Sequence, residues 1–164
     1  MILIKRCIRK IIILWKKVFW RLFNSNISLG KNVNFRKSFE INCDKNGRLT
    51  IGNNVFFNNG CSINVHHSVI IGDDCIFGEN VKIYDHNHKF NYSDAKIQEQ
   101  GFSCKEVTIG KNCWIGTNAV ILAGANIGDN VVIGAGTVVN GVIPSDVVVM
   151  QNREMIISPI QYKK

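Results

Sequence analysis

Apolar residues recur along this chain at a spacing of six. From Ile109 the series runs Ile115, Ile121, Ile127, Ile133 and Val139, with Gly110, Gly116, Gly128 and Gly134 directly behind four of these leads. The same register holds at Ile71, Phe77 and Ile83. Two added residues separate it from Ile51, Phe57 and Ile63, and four more separate those from Leu29, Phe35 and Ile41. The fifteen leads form five groups of three, 18 residues to a group. At 46% apolar content, chance gives this on the order of 10⁻⁵.

Such a period excludes the usual elements. An amphipathic helix repeats at three and four, and a plain strand at two. Six residues make one short strand and one corner. Three units close a triangular coil, and coils stack by parallel pairing about 4.8 Å apart. Each coil buries its inner face only against its neighbours. Asn, Asp and Gly after the leads suit the corners. The pattern predicts an all-β fold, a parallel β-helix of about five triangular coils over 27–150, with its leads inside.

The register breaks badly once. After Ile83 the chain reads YDHNHKFNYSDAKIQEQGFSCKE before resuming at Val107–Ile109. Residues 89–106 are an excursion rooted at Asp85-His86-Asn87-His88. Long loops in compact domains commonly carry function, and imidazoles on a rigid root suit acid–base chemistry.

Before the coils lies a segment of another kind. Residues 1–24 hold seven Lys or Arg and no acid, leaving 13 basic and 12 acidic side chains beyond; all but one unit of the net charge of +8 therefore belongs to this segment. A general nucleic-acid function is excluded on that distribution. Residues 2–23 predict an amphipathic α-helix in a 1–26 segment, with the cations on one arc and Ile4, Cys7, Ile8, Ile11, Leu14, Trp15, Val18, Phe19 and Leu22 opposite. No apolar run is long enough to span a bilayer. Two readings stand: contact with an anionic membrane surface through Trp15, Phe19, Trp20 and Phe23, or a cap on the open end of the coils. Residues 151–164 form a tail.

The cysteines form no CxxC pair. Cys61, Cys75 and Cys113 occupy repeat positions held elsewhere by Val, so they read as small buried apolar residues in a reducing, cytoplasmic setting. His66 falls one coil below His86. A zinc shared between them lacks a third ligand in register, and no metal is expected.

The stretch IGKNCWIGTNAVILAGANIGDNVVIGAGTVV, with DHNH before the excursion and WIG after it, resembles the hexapeptide-repeat transferases. Among them it is most similar to the galactoside, maltose and nodulation-type sugar O-acetyltransferases. The resemblance implies a left-handed helix and a homotrimer. It implies acetyl transfer from acetyl-CoA to a sugar hydroxyl in polysaccharide or glycan biosynthesis; with the basic N-terminal helix, a place on the inner face of the membrane is expected. A His acts as base: strict register favours His88, the Asp-His string favours His86. Asn58 and Asp85 are the implied acceptor contacts. Trp114, Thr117, Ala123, Gly124, Ala135 and Gly136 are the implied coenzyme contacts. The familiar Gly-x-Pro-Ala-Lys-like close is replaced by Gln151-Asn152-Arg153-Glu154-Met155, which leaves Arg153, Lys163 and Lys164 as candidates for the coenzyme phosphates. Since the fold does not fix the acceptor, an amine or serine acceptor and a non-catalytic scaffold stay open.

Overall fold

The protein was analysed as a computed structural model, which describes residues 11–20 and 24–152. The six-residue period folds as a three-faced parallel β-solenoid. Face A is built from β1 (Ile27–Leu29), β4 (Arg48–Ile51), β7 (Ser68–Ile71), β12 (Val107–Ile109), β15 (Asn126–Ile127) and β18 (Val142–Ile143). Face B holds β2 (Asn34–Phe35), β5 (Phe56–Phe57), β8 (Ile76–Phe77), β13 (Trp114–Ile115), β16 (Val132–Ile133) and β19 (Val148–Val149). Face C holds β3 (Glu40–Cys43), β6 (Ser62–Val65), β9 (Lys82–Tyr84), β14 (Val120–Ile121) and β17 (Val138–Val139).

The leads pair with one another in register, as in Ile71 with Ile109 and Ile83 with Ile121. Fourteen of the fifteen are buried. Ile41 is only half-buried, because β3 is the outermost strand of its sheet. A second inward column lies two residues before the leads and contains Val55, Val81, Ala119 and Val131. It also contains Cys61, Cys75 and Cys113, which are at most 2% exposed. Phe39, Phe57 and Phe77 stack up the inside at centroid spacings of 4.5 Å. Such rings add about 0.5–1.5 kcal/mol per pair beyond their burial.

The corners explain the asparagines. Asn32, Asn54, Asn112 and Asn130 take positive φ of 54–57°, which Asn tolerates better than most residues. They also bond upward: Asn32 Nδ2 donates to Asn54 Oδ1 (3.0 Å), and Asn54 Nδ2 to Asp74 Oδ1 (2.9 Å). Asn112 and Asn130 repeat the pattern, which ends on Asp146.

The structure corrects the coil count. β18 and β19 add most of a sixth turn. The period missed it because Ile143 follows Val139 by four residues, a shortening made at Gly141 with φ +88°. The excursion is also not a plain loop. β10 (His86–His88) pairs antiparallel with β11 (Phe102–Cys104), and a 3₁₀ turn (Ile97–Glu99) lies between.

Helix α1 is described over residues 11–20, and it caps the first coil. Trp20 is buried against Phe35 and Phe39 at 5.5 and 5.9 Å. Ile13 packs on the core, and Lys16 Nζ donates to the Phe39 carbonyl at 2.8 Å. Trp20 is therefore not available for membrane insertion, contrary to the expectation from sequence. Ile11, Leu14, Trp15, Val18 and Phe19 remain exposed. Phe23, the cations Lys5, Arg6, Arg9, Lys10 and Arg21, and Arg153, Lys163 and Lys164 lie outside the described residues.

Candidate functional site

At the corner between faces C and A the third coil departs from its neighbours. Asn64 pairs with Tyr84, which places Asp85 inward, one coil above Val65. Here the underlying chain turns and presents three backbone N–H groups. Asp85 Oδ1 accepts from His66 N (2.9 Å). Its Oδ2 accepts from His67 N (2.7 Å) and Ser68 N (2.8 Å). Buried donors without partners cost about 1–3 kcal/mol each, so a carboxylate at 85 is dictated by this corner. The Asp85 carbonyl accepts from Lys105 N at 2.8 Å, which closes the returning strand of the hairpin onto the coil.

Asp85 Oδ1 also lies 2.9 Å from His86 Nδ1. The oxygen is an acceptor for the backbone, so Nδ1 is assigned as the donor, and the free lone pair of a neutral ring is on Nε2. Asp85 has no exposed surface and the His86 side chain is 13% exposed. Asp85, expected among the acceptor contacts, instead lies behind His86 and orients it, since a side chain without surface cannot touch an acceptor.

His88 is exposed on the same hairpin. It lines an open hollow with Lys96, Ile97 and Gln98, and its ring lies 4.5 Å from Phe102. The segment beyond is held by Gln100, whose Oε1 accepts from Tyr92 N (3.0 Å). Its Nε2 donates to the carbonyls of Tyr92 (3.0 Å) and Ala95 (2.7 Å). The excursion is therefore braced internally. On β3 below, burial and the Asp44 and Asp85 carboxylates push the Cys43 thiol up to about 11. Burial and Asp85 also raise Cys104, with Lys89 acting the other way.

The remaining expected residues divide between two corners. Gly124, with φ +86° and the Lys105 stem beside it, and its neighbour Ala123 follow β14, at the corner that carries His86. Asn58, Thr117, Ala135 and Gly136 lie at the other end of face C, where it meets face B; Gly136 N donates to the Thr117 carbonyl at 2.7 Å. Trp114 stands 53% exposed on face B, in register between Ile76 and Val132. One chain thus joins His86, His88 and Gly124 but leaves Asn58, Trp114 and Thr117 on a separate edge.

Sequence reasoning missed the ring cluster around His86. Phe102 packs on it at 5.1 Å and His66 at 3.8 Å. The coil register does place His66 beneath His86, but nothing in the sequence tells where a hairpin folded from the excursion will put Phe102. Among the described residues no group of three or more His, Cys, Asp or Glu side chains is placed to hold a metal ion.

Residues 106–141 match the bacterial transferase hexapeptide family (six repeats). Across 133 residues the chain is 32% identical to Escherichia coli (strain K12) WbbJ, named as a lipopolysaccharide biosynthesis O-acetyl transferase. The match takes in 77% of this chain and 68% of WbbJ. Galactoside O-acetyltransferase of the same organism is 40% identical over 100 residues, 61% of this chain; the chain spans only 48% of that enzyme's length. The crystal structure of a maltose O-acetyltransferase from Clostridium difficile 630 superposes with a TM-score of 0.63 at 34% identity, covering 83% of this chain and 79% of that one. Repeat, solenoid and relatives agree, and the chain belongs to the hexapeptide-repeat acetyltransferase family.

Proposed function

We propose that the protein transfers an acetyl group from acetyl-CoA to a hydroxyl of a sugar unit in a surface glycan, with His86 as general base. The carrying observation is the buried Asp85 carboxylate on His86 Nδ1, in a chain whose relatives are named for sugar O-acetylation. An alcohol is a weak nucleophile at neutral pH. As its oxygen attacks the thioester carbonyl, its proton passes to His86 Nε2. The C–S bond then breaks, and the proton leaves on the coenzyme sulfur. Asp85 holds the tautomer this requires and stabilises the imidazolium. His88, exposed beside the hollow, is read as an acceptor contact.

The two corners support a site completed between copies. Trp114, Thr117, Ala135 and Gly136 line one edge of the solenoid, and His86 with Ala123 and Gly124 the other. A neighbouring copy that brings its first edge to this chain's second edge makes one groove for the pantetheine arm, with Asn58 at the acceptor end. A cyclic trimer closes three such grooves at once. The outward column Phe56, Ile76, Trp114, Val132 and Val148 on face B fits such a contact. The exposed Ile11, Leu14, Trp15 and Val18 stripe is read as resting on an anionic membrane surface, which brings lipid-linked acceptors to the site. No helix among the described residues is long and apolar enough to cross a membrane.

The test is coenzyme A release from acetyl-CoA with a panel of sugar, amine and serine acceptors. Release that depends on a sugar, with an O-acetyl ester as product, is expected. An amide product, or release indifferent to every acceptor, overturns the proposal.

A further inference from the structure

Two titratable groups beside His86, Asp44 and His66, are not used by the chemistry above. Asp44, His66 and His86 each follow the face C strand of successive coils, and the pairing of Cys43 with Val65 and of Asn64 with Tyr84 stacks them into a column along one edge. Asp44 Oδ2 lies 2.9 Å from His66 Nδ1. The His66 and His86 rings have centroids 3.8 Å apart and are tilted by 48°. Phe102 closes on both, 4.3 Å from His66 and edge-on at 5.1 Å from His86. Tyr84 meets His86 edge-on at 6.2 Å.

A single hydrogen bond does not fix an imidazole. The Asp85 contact decides which nitrogen carries the proton, but hydrogen bonds hold over a wide range of angles, so the ring can still rock about its Cβ–Cγ axis and swing Nε2 away from the acceptor. Flat neighbours in contact with the ring remove that freedom. A neighbour does so only if its own plane is fixed, and His66 is held both by the Asp44 carboxylate at Nδ1 and by Phe102 against its ring. The two carboxylates thereby act on different degrees of freedom: Asp85 sets the tautomer of His86, and Asp44, through His66, sets its plane.

We infer that His66, held by Asp44, is a positioning residue for His86. The inference rests on the reading of His86 as the base. It assigns His66 no proton transfer; the ring acts by its face. A displacement near 1 Å can cost on the order of 10²-fold in rate, so a loosened ring is visible in kcat.

The test compares His66→Ala, His66→Phe and Asp44→Ala in the full-length protein. It uses steady-state kinetics and the imidazole ¹H–¹⁵N signals of His86. With an acceptor in hand, His66→Ala is expected to lower kcat by about 10–100-fold at unchanged KM for acetyl-CoA. His66→Phe should return most of the loss, and Asp44→Ala should fall between. The His86 ring signals should be sharp in the wild type and His66→Phe and broadened by exchange in His66→Ala. Should His66→Ala fail to fold, Asp44→Ala, which keeps both rings and frees His66, carries the same readouts. Sharp His86 signals with wild-type kcat in the variant overturn the inference. So does His66→Phe as impaired as His66→Ala, since the imidazole nitrogens and not the ring face would then matter. If no acceptor supports turnover, the proposed reaction fails while the His86 signals still decide whether His66 holds the ring.

Discussion

Asp85 joins the folding of the chain to its chemistry. The same oxygens that satisfy three backbone donors at the corner also orient His86. Asp85→Ala strands those donors and frees the ring, so it should lower the unfolding free energy by about 3 kcal/mol or more, read from the denaturant midpoint, and lower kcat as well. His86→Ala should leave that midpoint near wild type while cutting kcat by about 10²–10⁴-fold, with acetyl-CoA affinity retained. His88→Ala should mainly raise KM for the acceptor. Wild-type turnover in His86→Ala with collapse in His88→Ala would reverse the two roles. Two histidines were legible in DHNH, but not their difference. That difference comes from the inward position of Asp85, which the coil register fixes only once the chain is known to leave the coil after Tyr84.

At the scale of elements, legibility followed periodicity. Strands whose leads kept a spacing of six were readable to the residue, because each lead must face the same interior. The hairpin β10–β11 was not, since His-Asn-His is polar throughout, Phe-Ser-Cys is too short to show a period, and five of the six residues are exposed. The last turn was lost to a two-residue shortening. Helix α1 was read from the separation of its cations and apolar residues, and the cap expectation holds through Ile13, Lys16 and Trp20, while the apolar stripe faces outward. Trp15 is 72% exposed and is not among the residues packed on the core. Trp15→Glu should therefore reduce sedimentation with anionic vesicles several-fold at unchanged thermal stability. Equal sedimentation of the variant and wild type would remove the membrane from the account and leave the stripe to another copy.

For the whole molecule, the solenoid is a rigid ruler. Stacked coils fix the edges relative to one another, so a residue's place in the repeat decides which edge it serves. That is why Asn58 and His86 fall on different edges, but six-residue counting could not say how copies meet: the outward positions carry no period tied to an interior. The central claim is that acetyl transfer occurs in a groove made by the His86 edge of one copy and the Trp114 edge of the next. Mixing two inactive variants tests it most directly. His86→Ala and Trp114→Ala proteins are unfolded together in equal amounts, refolded and assayed with acetyl-CoA and the acceptor. Random assembly leaves about one groove in four with both edges intact, so activity should return to roughly a quarter of wild type while neither variant refolded alone recovers. Activity that stays at the level of the separate variants would contradict the shared groove and place both edges' chemistry within a single chain.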